Sequence, residues 1–157
     1  MKLIINTDGG ARGNPGPAAI GVVIERGGKP IAQFGKYIGE RTNNVAEYSA
    51  VIEALRHVRS SVQAQAKIES ITFLLDSKLV VNQLNGTFKV KDSNLRSLLM
   101  QIRLLEREVG GQVQYNLIIN WRLVLFVCRD ATSIFNKKFP QWLDKQLILC
   151  VNTDCRC

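Results

Sequence analysis

The chain has very little histidine and, over most of its length, neither cysteine nor tryptophan. His57 is the single histidine, and it falls well inside a helical pattern, so it reads as structural or surface-lying and not catalytic. Residues 1–110 contain no Cys and no Trp; Cys128, Cys150, Cys155 and Cys157 all lie in the last 30 residues, and Trp121 and Trp142 also lie beyond residue 110. There is no Cys-x-x-Cys pair, and Cys155-Arg156-Cys157 is too close-set for an ordinary structural zinc site. That argues against a zinc finger or a disulfide framework and for free thiols in a reducing compartment. No apolar run reaches the roughly 18 residues that a membrane span needs. Asn6, Thr7 and Asp8 break the N-terminal apolar run too early for a secretory leader. The expectation is a cytoplasmic protein with no membrane partner.

What is present is the composition of a globular domain. The 157 residues suit one domain able to bury its own core. Lys and Arg number 21 against 13 Asp and Glu, a net charge of +8. Such a balance favours polyanionic partners through attraction and counterion release, although a solvated basic surface has the same arithmetic.

Periodicity divides the chain into short elements. Residues 2–7 read as a strand leading into a Gly/Pro loop, residues 18–26 as a second, and Gly27-Gly28 as the turn into a third at 30–38. Asn43 or Asn44 is placed to cap a helix, with Glu47 three residues after Asn44 as in a capping box. That helix carries Val45, Tyr48, Val51, Ile52, Leu55 and Val58 on one face and ends near Arg59-Ser60-Ser61. Ile68 to Leu75 is apolar enough for a central strand. Ser77 to Leu84 reads as a short helix. Asp92 or Ser93 caps a longer one that Gly110-Gly111 ends. Val113 to Ile119 is a fifth strand. The order βββαβααβ predicts an α/β fold: a five-stranded mixed sheet flanked by helices. After Ile119 the character changes: Leu123 to Val127 is apolar without helical spacing. Residues 1–119 therefore read as the domain, and residues 120–157 as a divergent tail that either completes it or is aberrant.

Three acidic residues stand where these elements meet. Asp8 follows the first apolar run and opens Asp8-Gly9-Gly10-Ala11-Arg12-Gly13-Asn14-Pro15-Gly16-Pro17. Glu47 lies one turn inside Thr42-Asn43-Asn44-Val45-Ala46-Glu47-Tyr48. Asp76 ends the run Ile71 to Leu75 and precedes Ser77-Lys78. Carboxylates gathered at the ends of core elements suggest a divalent-metal site, because clustered negative charge needs a cation to stabilise it.

The blocks Thr7-Asp8-Gly9-Gly10 with Gly13-Asn14-Pro15-Gly16-Pro17, Thr42-Asn43-Asn44-Val45-Ala46-Glu47-Tyr48, and Leu75-Asp76-Ser77 closely resemble the type 1 ribonuclease H family. The similarity is to its compact, reverse-transcriptase-like branch and covers residues 1–119. The resemblance implies an RNase H-like fold and an endoribonuclease that hydrolyses the RNA strand of RNA/DNA hybrids, leaving 5′-phosphate products. It implies two Mg²⁺ ions, with Mn²⁺ as a possible substitute, held by Asp8, Glu47 and Asp76. Gly9 and Gly13 would let the sugar–phosphate chain approach closely. Asn14, Asn43 and Asn44 match positions that contact the hybrid, and amides that both donate and accept suit a 2′-hydroxyl. Ser77 and Lys78 join these nucleic-acid-binding positions. Arg12, Lys89 and Lys91 carry charge suited to phosphates, although Lys89 and Lys91 read first as a solvated turn. The basic helical handle of some members is missing.

The ending departs from the family pattern. A fourth carboxylate is expected after the fifth strand, near a Pro-Arg-Glu-like loop and an Ala-Asp pair. Asp130, followed by Ala131, lies at about the right distance but with unmatched flanks, and Asp144 is a weaker candidate. The alternative reading is therefore a hybrid- or nucleic-acid-binding module with an impaired metal site. A junction resolvase or integrase of the same superfold is a third, which the Asn43-Asn44 and Gly13-Asn14 elements disfavour.

Overall fold

Alternation along the first strand sets the architecture. Leu3, Ile5 and Thr7 are buried while Lys2 and Ile4 are exposed, so one face of the strand meets the core. This strand, β1 (Lys2–Ala11), belongs to a computed structural model that describes residues 1–62 and 67–118. Residues 120–157, with Asp130 and Asp144, lie outside the described residues, as does Ile119.

β1 continues through Asp8-Gly9-Gly10 where the sequence suggested a loop. The reason is its partner: β2 (Gly16–Arg26) runs antiparallel beside it, and Asp8 faces Gly21, Gly9 faces Ile20 and Gly10 faces Ala19. A neighbouring ladder outweighs the weak strand preference of glycine. The turn proper spans residues 12–15, closed by the Arg12 N–H donating to the Pro17 carbonyl at 2.8 Å. Gly27 (φ 57°) and Gly28 (φ 74°) make the expected hairpin into β3 (Lys29–Arg41).

Helix α1 (Asn43–His57) starts from Thr42, whose Oγ1 accepts the Val45 N–H at 3.3 Å. The expected cap at Asn43 or Asn44, with Glu47 closing a capping box, is corrected by this. Thr42 is the last extended residue leaving β3, at φ −83° and ψ 160°, so the helix is already under way at Asn43. A π-turn at Val58–Val62 follows. β4 (Ser70–Leu75), α2 (Lys78–Leu84, capped by Ser77), α3 (Ser93–Val109, capped by Asp92) and β5 (Gln112–Leu117) complete the order. Gly110, at φ 68°, ends α3.

The sheet order is β3-β2-β1-β4-β5. β1, β2 and β3 form an antiparallel meander, while β4 lies parallel to both β1 and β5. Parallel neighbours need crossovers: α1 supplies one, and α2 with α3 the other. α1 is buried on more than one face. Tyr48, Val51 and Leu55 join the main core with Leu3, Ile5, Ile71 and Phe73, while Ala46 and Ala50 pack against Ala18 and Ile20. α3 presents Leu95, Ile102, Leu105 and Val109 to that core. The rings of Phe73 and Tyr115 stack with centroids 5.1 Å apart, joining β4 to β5. Among the described residues no helix is long and apolar enough to cross a membrane.

Candidate metal centre

The two central strands carry the site. β1 and β4 run parallel in a register that places Asn6 beside Leu74. Asp8 and Asp76 follow those two residues at the same interval, so both carboxylates emerge at the same end of the sheet. Asp76 is the first residue past β4 and stands exposed, while Asp8 is half-buried within β1.

Glu47 reaches them from α1, and Gly9 makes the approach possible. A Cβ on Gly9 would sit 2.4 Å from the Ala46 carbonyl carbon and 2.5 Å from the Glu47 nitrogen. The strand backbone therefore lies directly against the helix backbone, which no side chain would permit. As a result one ligand oxygen from each of Asp8, Glu47 and Asp76 lies within 4.8 Å of the others.

That closeness perturbs the acids. Burial, then Asp76, then Asp8 push the Glu47 carboxyl up to about 8. Asp8 is raised by burial and by Asp76, and the Gly9 N–H donating to it works in the opposite direction. Glu47 Oε2 is fully buried and accepts no hydrogen bond among the described residues. Buried polar atoms normally have partners, and the carboxylate that carries this one stands beside two others. An all-oxygen, anionic donor set with an unsatisfied buried oxygen fits a hard divalent cation.

The electrostatics give the first expected result. The raised acids contribute stability that is fully present below their unfolded values near 4 and is lost as pH rises through their folded values, which is about 8 for Glu47. In EDTA, the melting temperature is expected to fall from about pH 5 to pH 8. Mg²⁺ or Mn²⁺ should restore it, with the largest gain at the alkaline end. A metal-free melting curve that rises over this window, with no response to either cation, would exclude the site.

The sequence-predicted neighbours take distinct places. Asn43 Oδ1 accepts the Ala11 N–H at 2.7 Å, and Asn14 Oδ1 accepts the Asn43 N–H at 3.1 Å. These amides fasten the 12–15 turn to the start of α1, and each bond uses only the carbonyl oxygen. Asn44 lies beside them and is partly exposed, while Gly13 is exposed at φ 90°. Ser77 caps α2, its Oγ accepting the Val80 N–H at 3.4 Å, and Lys78 is exposed on the first turn. Gly9 is buried under α1, so the helix contact alone requires a glycine there. His57 packs its ring against Phe34, centroids 5.2 Å apart, at the far end of α1 from Glu47. Two contributors escaped the sequence reading. Thr42 was hidden by the two asparagines after it. Gly16, where a Cβ would fall 1.9 Å from the Arg12 carbonyl oxygen, was signalled only by its place between Pro15 and Pro17.

The strand order, its crossovers and the carboxylates at the ends of the central strands define an RNase H-like α/β domain. LC11-RNase H1, solved in complex with an RNA/DNA hybrid, matches with a TM-score of 0.74 and 38% identity, over 84% of this chain and 99% of that one. A family model described as reverse transcriptase-like matches residues 6–109. The chain belongs to the type 1 ribonuclease H family, in this reverse-transcriptase-like branch. It is 41% identical over 107 residues to the bifunctional protein Rv2228c of Mycobacterium tuberculosis, covering 67% of this chain and 28% of that protein. It is 42% identical over 99 residues to ribonuclease HI of Halobacterium salinarum, covering 62% of this chain and 47% of that one. The match thus spans less than half the length of these curated relatives.

Proposed function

We propose that this protein is an endoribonuclease that hydrolyses the RNA strand of RNA/DNA hybrids, with two Mg²⁺ ions, replaceable by Mn²⁺, held by Asp8, Glu47 and Asp76. The observation that carries the reading is the convergence of these three carboxylates, with Glu47 Oε2 left buried and unsatisfied. The hybrid bound by LC11-RNase H1 and the ribonuclease HI of Halobacterium salinarum support the substrate and the reaction. Residues 1–119 would form the catalytic domain, residues 120–157 a divergent tail, and the cytoplasm the place of action.

Bound at this centre, divalent cations would supply Lewis-acid stabilisation of phosphoryl oxygens and a water nucleophile at neutral pH. The chain's residues do the rest. Glu47 offers a rigid, buried oxygen, and Asp8 is oriented by the Gly9 N–H. Asp76, exposed at the rim, would complete the anionic donor set on its solvent-facing side. The amide NH₂ groups of Asn14 and Asn43, with Asn44, would serve to contact a 2′-hydroxyl, the group that separates RNA from DNA. Lys78 and the surplus positive charge attract the phosphate backbone. Cleavage would leave a 5′-phosphate and a 3′-hydroxyl.

The second reading, a hybrid-binding module of impaired activity, is favoured by one observation: the sequence after residue 119 has no carboxylate with the family's flanks. An end-labelled RNA/DNA hybrid, offered with Mg²⁺ and then Mn²⁺ beside duplex DNA, duplex RNA and single strands, decides between them. Cleavage confined to the hybrid is the expected result. Hybrid binding without cleavage by the folded protein under either cation would replace the enzyme with the binding module.

A further inference from the structure

Tyr48 directly follows Glu47 on α1 and is fully buried. Its hydroxyl donates to Gln83 Oε1 at 2.9 Å, inside the core. Gln83 lies on α2, the short helix that begins just after Asp76 and Ser77. One buried hydrogen bond therefore ties the helix that presents Glu47 to the helix that adjoins Asp76.

The fastening of α2 is uneven. Its C-terminal end is held by Gln83, by the Leu84 carbonyl accepting from the Arg103 guanidinium, and by the Asn85 amide donating to the Tyr115 carbonyl at 2.9 Å. At its other end, among the described residues, the hydrogen bonds are those of its own first turn and its Ser77 cap. Asp76 sits at the joint. β4 fixes the backbone as far as Leu75, whose carbonyl accepts the Ile118 N–H at 2.7 Å. Beyond Leu75, the path of the chain depends on how α2 is seated.

The three carboxylates, with ligand oxygens within 4.8 Å, repel one another, and Asp76 is the exposed member able to yield. A tether that keeps α2 against α1 opposes that movement. Packing alone does not require a polar tether, since a buried pair can be replaced by apolar groups of similar shape at little cost. A directional bond does something packing does not: it selects one seating of α2 on α1.

We infer that Tyr48 and Gln83 are positioning residues of the metal centre, their buried hydrogen bond setting the separation of Glu47 and Asp76 that a divalent cation would bridge. The inference rests on reading Asp8, Glu47 and Asp76 as metal ligands. It goes beyond that reading in assigning a function to two core residues that touch neither cation nor substrate.

The test is the dissociation constant for Mn²⁺ alone, read from the paramagnetic resonance signal of free Mn²⁺. It is measured for the full chain, for Tyr48→Phe, and for Tyr48→Phe combined with Gln83→Leu, with melting in EDTA recorded in parallel. Tyr48→Phe is expected to bind Mn²⁺ about 5-fold more weakly. That is less than the roughly 10–100-fold that a group bonded directly to a metal ligand contributes, because this pair acts at one remove. The double variant should regain melting temperature, because no buried amide is left unpaired, yet keep the weak affinity. Wild-type affinity in Tyr48→Phe, or affinity that returns together with melting temperature in the double variant, would reduce the pair to a packing role. A wild-type chain that binds no Mn²⁺ would remove the metal-ligand reading and this inference with it. Equal binding by wild type and Tyr48→Phe would remove the positioning role alone.

Discussion

Asp8→Asn is expected to abolish hybrid cleavage while leaving the fold intact and the metal-free protein more stable than wild type. The two effects have one cause. Asp8 is among the groups that push the Glu47 carboxyl to about 8, and an amide of the same size removes that repulsion. The same change takes away a charged oxygen at the centre of the cluster. Outer partners of metal ligands cost about 10–100-fold when removed, so a direct ligand should cost more than about 100-fold in rate. Initial rates on a labelled hybrid, with melting curves in EDTA, measure both effects. Activity within about 10-fold of wild type would show that Asp8 does not hold the reacting assembly. Lost activity with a lower melting temperature would point to a structural role for the carboxylate.

Gly9→Ala is expected to be far more damaging than Gly10→Ala, although the two glycines are adjacent. On Gly9 a new Cβ meets the backbone of Ala46 and Glu47 at 2.4 to 2.5 Å, whereas on Gly10 it meets nothing within 4 Å. Overpacking typically costs about 1–3 kcal/mol, and backbone atoms cannot rotate away as a side chain can, so the upper end or beyond applies. For a domain of this size about 3 kcal/mol is a fall of roughly 10 °C in melting temperature. Any folded Gly9→Ala protein would have α1 pushed off β1, and Glu47 with it, so cation binding should weaken as well. Thermal melts of the two variants settle the matter. A Gly9→Ala melting temperature within about 2 °C of that of Gly10→Ala would mean the strand and helix are not in the contact described.

The contrast between these glycines shows where reading a sequence succeeds and stops. Asp92 or Ser93, and Gly110-Gly111, announced the two ends of α3, and Asp92 took the cap, because a cap is a local matter between residues a few positions apart. The run from Ile71 to Leu75 announced a central strand because it is apolar almost throughout, although only Ile71, Phe73 and Leu75 are fully buried. The carboxylates announced themselves by standing after such runs. Local signals misled where a distant partner decided: the glycines after Asp8 joined a strand because β2 lay beside them, and Thr42 took the cap because β3 delivered it extended. Tyr48 was recognisable as a core residue from helical spacing, but its hydroxyl's partner lies 35 positions away. Nothing near Glu47 in the chain foretold a carboxyl raised to about 8, since that follows from burial and from charges brought by two other elements.

The parallel register of β1 and β4 has a consequence for the order of assembly. Asp8 and Asp76 come to the same height only when Asn6 stands beside Leu74, a pairing between distant stretches of chain that must first meet the entropy of closing the loop between them. Until that zipper closes, the polypeptide holds scattered acids and no cage. Capture of a cation at this centre would therefore be a certificate that β1 and β4 have paired, and a half-formed sheet would have no means of issuing it.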